Sequence, residues 1–222
     1  MTPSTVNSQF IEVISRLVRS SLSVAQIYPS IKIDGPYTTV GHLNGAVNSI
    51  ALKDIPYRDI YATIYSNGAY HSKMIDGGLI IMQYQFELKA GVNKLRKHRL
   101  CFFPSPDLPS YDTCPMLYES DNIYLDIVKN NIVRFPIRFD YDPENKNGIH
   151  HPSSHLTLGQ YDNCRIPVTM PVSPAKFILF IVRNFYYLAY KHNQNLFDRN
   201  MPYITPVHSI SDIEKKISYF SL

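Results

Sequence analysis

Two runs of alternating polarity, "GLIIMQYQFELK" (78–89) and "KLRKHRLCFF" (94–103), stand only four residues apart. Period two is the side-chain repeat of a β-strand, and the short Gly-containing spacer "AGVN" suits a hairpin, so the two runs read as antiparallel neighbours. In the first, Ile80, Met82, Tyr84, Phe86 and Leu88 share one face, and Ile81, Gln83, Gln85 and Glu87 the other. Such a sheet has one face to bury and one face that stays polar. In the second run either His98 or Arg99 joins the polar face.

The same alternation returns in "VRFPIRFDYDP", where Phe135, Ile137, Phe139 and Tyr141 oppose Arg134, Arg138, Asp140 and Asp142. After the turn-rich "PENKNGIHHPSS", a fourth run, "HLTLGQY", turns Leu156 and Leu158 inward and His155 and Thr157 outward. These four runs form the sheet core, residues 76–168.

Helical spacing appears at the two ends. In "FIEVISRLVRSSLSVA", Phe10, Ile14, Leu17, Val18 and Leu22 recur on one face, which predicts an amphipathic helix within 1–26 rather than a signal peptide. "VSPAKFILFIVRNFYYLAYKH" opens with Ser173 as N-cap and Pro174 in the first turn, and predicts a helix over 173–192 that is apolar nearly all round and buried. Shorter helices are expected in "KDIPYRDIYATIYSNG", in "SDNIYLDIVKNN" and in "SISDIEKKISYF". "IYPSIKIDGPYTTVG" reads as a strand with turns, and "FFPSPDLPSYDTCP" as a proline-rich loop. The expected fold is α+β: a central antiparallel sheet of about four to six strands, with helices packed on one face and at both chain ends, in a single domain over 1–222.

Composition bounds the functional classes. The chain has 222 residues, 45% of them apolar, and a formal charge of +4, which allows nucleic-acid contact without demanding it. Cys101, Cys114 and Cys164 are odd in number and far apart, so neither a disulfide framework nor a thiolate zinc knot is indicated, and a reducing, cytoplasmic setting fits. The most apolar segment, "FILFIVRNFYYLAY", is short and carries Arg183 and Asn184, so no membrane association is expected. The 17 tyrosines sit among Asn, Asp and Lys, as on half-wet surfaces that bind something.

The polar face carries the candidate chemistry. His155 and His151 can move protons near neutral pH, Arg138 can hold a phosphate, and Asp140 or Asp142 can orient an imidazole. Gln83, Gln85, His98, Arg99 and Arg165 are candidate substrate contacts. His151, His155 and Asp140 are also candidate ligands for a divalent metal. The plainer reading is a wet sheet face whose opposite charges merely pair across strands. Two further patterns stand beside it. Asp76, Glu87 and Lys89 resemble the Asp then Glu-x-Lys signature of restriction-type metal nucleases. Lys94, Arg96, Lys97, His98 and Arg99 form a basic patch that equally suits a solvated hairpin end. No cysteine sits in a nucleophile's setting.

The blocks "DGGLIIMQYQF", "KHRLCFFPSPDL", "FPIRFDYD", "HPSSHLTLGQYDNCRIPV" and "FILFIVRNFYY" resemble an uncharacterised bacterial domain-of-unknown-function family. The resemblance implies a bacterial or mobile-element setting, among defence or restriction genes, and brings no activity with it. In "RFDYD" and "HHPSSHL" the chain is also similar to small toxin-antitoxin proteins with an Arg-x-Asp strand and a His-rich turn, which implies roles for Arg138, Asp140, His151 and His155. It is longer than those proteins and inserts "PENKNG" and Pro152.

The expectation that follows is a defence-associated or toxin-like protein that binds nucleic acid, RNA rather than DNA, and cleaves it on the polar sheet face. The alternative is a non-enzymatic accessory or antitoxin-like module that binds a protein encoded nearby. An active site would gather His155, Arg138 and Asp140 in a cleft, whereas a binding module would leave them spread on a flat face.

Overall fold

The computed structural model describes residues 1–43, 55–107, 135–161, 163–202 and 204–222. The helix expected in "SDNIYLDIVKNN", Arg134, Cys114 and most of the proline-rich loop lie outside these residues.

Helix α1 (Pro3–Arg19) starts at a reciprocal cap between Thr2 and Thr5, with Pro3 at its first turn. It buries Val6, Phe10, Val13, Ile14 and Leu17, while Val18 lies at its exposed margin. Three short strands follow, β1 (Ser23–Gln26), β2 (Ile31–Asp34) and β3 (Tyr37–Val40), then α2 (Tyr57–Ser66) and β4 (Ser72–Met74). The long hairpin is β5 (Leu79–Lys89) and β6 (Val92–Phe103). Its loop is only Ala90-Gly91, both at positive φ (48° and 76°), the geometry whose twist matches that of paired strands. β7 (Ile137–Tyr141), β8 (Ser154–Leu158) and the two-residue β9 (Ile166–Pro167) complete the sheet.

The sheet is antiparallel and has nine strands among the described residues, more than the alternating runs alone suggest. The order runs β1-β4-β5-β6-β7-β8-β9, and the β2–β3 hairpin attaches through β3 to the far half of β5. The additional strands are short, and one of them, β3, pairs with β5 from more than 40 residues away.

One sheet face meets α1 and α3 (Pro174–Phe185). Ile80, Met82, Tyr84, Phe86, Leu100, Phe102 and Phe139 pack there with Phe10, Ile14, Phe177, Ile181 and Val182 in one cluster. Phe139 meets the rings of Phe177, Phe180 and Phe220 edge-on, at centroid distances of 6.0, 5.4 and 5.9 Å. Helix α2 sits on the other face. Its Ile60 and Ile64 cover Leu79, Ile81, Cys101 and Phe103 and do not extend to the rest of that face. Among the described residues no helix is long and apolar enough to cross a membrane.

Three expectations need correction. The single helix over 173–192 is broken: α3 ends where Tyr186 (φ −130°, ψ 47°) leaves helical geometry, and α4 (Tyr187–His192) and the one-turn α5 (Gln194–Phe197) follow. The Tyr186 hydroxyl donates to Asp76, at 2.8 and 2.9 Å from its two oxygens, and this buried tie holds the break in place. Nor is α3 buried all round, since Lys176, Arg183 and Asn184 face outward. The helix expected in "SISDIEKKISYF" is one 3-10 turn, Glu214–Lys216, because the chain beyond it is drawn out to pair Phe220 with Val168.

Candidate functional site

Strand register assembles the site. Gln83 on β5, Arg99 on β6, Asp140 on β7 and His155 on β8 are successive cross-strand partners, so they form one row on the face that α2 leaves open. The adjoining row is Cys101, Arg138 and Thr157. A bulge in β6 opposite Gln85 and Phe86 makes this possible. Arg96 is the extra residue, so Leu95 returns to the core face while Lys97, Arg99 and Cys101 keep the open one.

At the centre, Asp140 is almost fully buried and shared by two guanidiniums. Arg99 Nε donates to Oδ1 at 2.9 Å and Arg138 Nε to Oδ2 at 2.6 Å. Burial pushes the carboxyl up, but the two cations outweigh it and hold Asp140 below its ordinary value. The unit therefore carries two positive charges against one negative. His155 lies next in the row, with Nε2 3.8 Å from Asp140 Oδ2. Its Nδ1 is 3.0 Å from the Pro152 carbonyl and must donate to it, so the neutral ring presents Nε2 as an acceptor. Burial lowers the His155 pKa, with Asp140 pulling the other way.

His151 packs edge-on against His155, with centroids 4.9 Å apart, and its buried Nδ1 has no hydrogen-bond partner. The loop that carries it is anchored on several sides. Arg96 makes a two-pronged contact with Glu144 (2.9 and 2.7 Å), Asn145 donates to Asp142 (2.8 Å), Lys146 reaches the buried Glu214 (3.5 Å), and the Asn147 and His151 backbones form a bridge.

These groups line a cleft of about 680 Å³, within the range of roughly 300–1,000 Å³ typical of ligand sites. Arg138, Asp140, Asp142, His151, His155, Gln83, Gln85, Arg99 and Arg165 all border it. His98 borders it too, but its ring belongs to the core face and its role is structural. Its Nε2 accepts from the Val172 amide (2.9 Å) while Tyr84 donates to the Val172 carbonyl (3.0 Å), so the pair satisfies both backbone groups of one residue ahead of α3. Burial drives the His98 pKa down to about 4. The His98 Nε2 is thus engaged by the backbone rather than presented to the cleft.

The β2–β3 hairpin adds a wall that sequence reasoning missed, with Lys32, Asp34 and Thr39, and His42 follows it. Only the register of β3 against β5 brings those residues across. Lys97, Arg99, Arg138, Arg165 and Lys32 give five cations against the three carboxylates Asp34, Asp140 and Asp142. A cleft of this balance attracts anions.

Among the described residues no three His, Cys, Asp or Glu side chains are placed to hold a metal ion. His151, His155 and Asp140 do not make such a set, because both Asp140 oxygens already accept guanidinium protons. The restriction-type pattern fails as well. Asp76 is tied to Tyr186 ahead of β5, while Glu87 pairs with Lys89 at the strand's far end, eight or more residues, or roughly 25 Å, away. Cys101 is buried beside Arg138, and burial holds its thiol up at about 12, so it is no nucleophile.

Residues 22–222 match the protein family described as uncharacterized conserved protein DUF2290. The chain belongs to this family. All of the cleft lies within the matched DUF2290 region, as do both hydrophobic clusters except for the α1 side chains. Neither the curated proteins nor the solved structures yield a match.

Proposed function

We propose that this chain is a toxin-like or defence-associated cytoplasmic protein that binds nucleic acid, RNA rather than DNA, in the cleft and cleaves its backbone. One observation carries the reading: two guanidiniums share one carboxylate beside an imidazole of fixed tautomer, in adjoining cross-strand rows at the floor of a cationic cleft. Arg99 and Arg138 supply oriented donors for a phosphate and for the charge that builds on it during attack. His155 Nε2 is the general base, and Asp140 stabilises the imidazolium formed when it takes a proton. Lys32, Lys97 and Arg165 extend the positive field along the walls.

The rival reading, an accessory or antitoxin-like module for a protein encoded nearby, draws on edge strand β2, where Ile31 and Ile33 are 46% and 74% exposed. The gathering of His155, Arg138 and Asp140 in a cleft favours the enzyme.

The test is incubation of the protein with labelled RNA, single-stranded DNA and duplex DNA, with and without magnesium, manganese or zinc, beside folded His155→Ala and Arg138→Ala variants. Cleavage by the wild type and its loss in both variants is expected. Cleavage that both variants retain, or none under any condition, overturns the proposal.

A further inference from the structure

Resting on that reading, we infer that the cleft cuts RNA by internal transfer, using the substrate's own ribose 2′-hydroxyl as the nucleophile. His155 Nε2 takes the 2′-hydroxyl proton and the 2′-oxygen bonds to the adjacent phosphorus. The bond from phosphorus to the 5′-oxygen breaks as that oxygen takes a proton from His151. The products are a 2′,3′-cyclic phosphate and a 5′-hydroxyl. Solvent then returns a proton to His151 and removes one from His155, so no oxidant, reductant or co-reactant is consumed.

Three features of the cleft point this way. The central carboxylate is committed at both oxygens, to Arg99 and Arg138, so Asp140 is not placed to draw a proton from a water. An RNA strand brings a hydroxyl already tethered next to its phosphorus, and tethering removes most of the entropy cost of attack. The two imidazoles are in contact, one with its acceptor nitrogen fixed by the Pro152 carbonyl and the other with a buried nitrogen that no protein group satisfies. Internal transfer needs a base at the 2′-oxygen and an acid at the departing 5′-oxygen, and these two imidazoles supply that pair. In this step Arg99 and Arg138, which border the cleft, supply positive charge to the five-coordinate phosphorus. The cleft volume of about 680 Å³ suits an unpaired strand of a few nucleotides.

The experiment compares three end-labelled single strands of one sequence, RNA, fully 2′-O-methylated RNA and DNA, in excess EDTA, with the ends of the products read by mass spectrometry. Wild type is expected to cut RNA alone, leaving 2′,3′-cyclic phosphate and 5′-hydroxyl ends, and to bind the methylated strand within a few-fold of RNA. Cleavage of the methylated strand or of DNA, or 3′-hydroxyl ends from RNA, overturns internal transfer and leaves the nuclease reading standing. No cleavage of any strand, with or without added metal, overturns both. His151→Ala, checked for native unfolding, should lose about 10²–10⁴-fold on RNA and recover most of that on RNA with a 5′-thio leaving group, which needs no acid. An equal loss on both substrates removes His151 from the assignment.

Discussion

Asp140 on β7 faces His155 directly across the ladder to β8, and its Oδ2, 3.8 Å from Nε2, is the same oxygen that accepts from Arg138 Nε at 2.6 Å. The carboxylate thus links the charge-holding and proton-moving parts of the cleft. Asp140→Asn leaves Arg99 and Arg138 side by side in a mostly buried site. Breaking a buried pair from one side costs about 3–5 kcal/mol, and urea unfolding of the variant should show a loss of that order. A wild-type urea midpoint would mean that the guanidiniums are solvated independently of Asp140.

The reaction should depend on pH through His155. Burial lowers its pKa and Asp140 partly restores it, while His151 and Arg138, which also face the ring, push it further down. The basic form therefore accumulates below the ordinary imidazole value of about 6.5. Cleavage is expected to rise with pH and level off with an acidic midpoint under that value. Asp140→Asn removes the larger of the two raising influences and leaves only the Pro152 carbonyl, so its midpoint should move to lower pH still. A midpoint above 7 in the wild type, or an upward move in the variant, would contradict the assignment of His155 as base.

How much of this was readable in the chain depends on the distance between partners. Alternation within β5, β7 and β8 placed Gln83, Arg138, Asp140 and His155 on one side, because a strand's period is local. The choice between His98 and Arg99 was not local. It turns on the bulge at Arg96, which shifts the parity of β6, and on the Val172 peptide, 74 residues away, that His98 serves. The break at Tyr186 answers to Asp76, 110 residues earlier. The wall carrying Lys32 and Thr39 exists only through the pairing of β3 with β5. Nothing in the spacing of those residues announces such partners.

Two buried histidines should make the fold sensitive to acid. His71, whose Nδ1 accepts from the Met82 amide, is held down at about 3 by burial, and His98 at about 4. Unfolded, each titrates near 6.5, so in the window between that value and the folded pKa the unfolded chain binds the extra protons. Stability falls as pH falls through the window, on the order of 2 kcal/mol per histidine by pH 5. Asp76, whose pKa burial raises, offsets part of that loss. Urea unfolding at pH 7 and pH 5 should show the decrease, and His98→Gln should flatten it. An unchanged slope in the variant would mean that His98 gains its proton without unfolding.

The contact between Arg96 and Glu144 joins the β6 bulge to the loop that carries His151, and Arg96 also donates to Gln85 (3.0 Å) and stacks on Tyr37. Glu144 is solvent-exposed, and an ion pair of this kind adds little to global stability. Its consequence is positional. Glu144→Gln should leave the urea midpoint at the wild-type value while amide exchange speeds up across 143–151. With His151 less well held, kcat should fall by on the order of 10-fold to 100-fold, because small misplacements of a catalytic group are expensive. KM should change little, since Arg99, Arg138 and the hairpin wall stay in place. A fall confined to KM would instead place Glu144 in substrate binding, and unchanged exchange with unchanged kcat would show that Asn145 and the Lys146–Glu214 contact are enough to hold the loop.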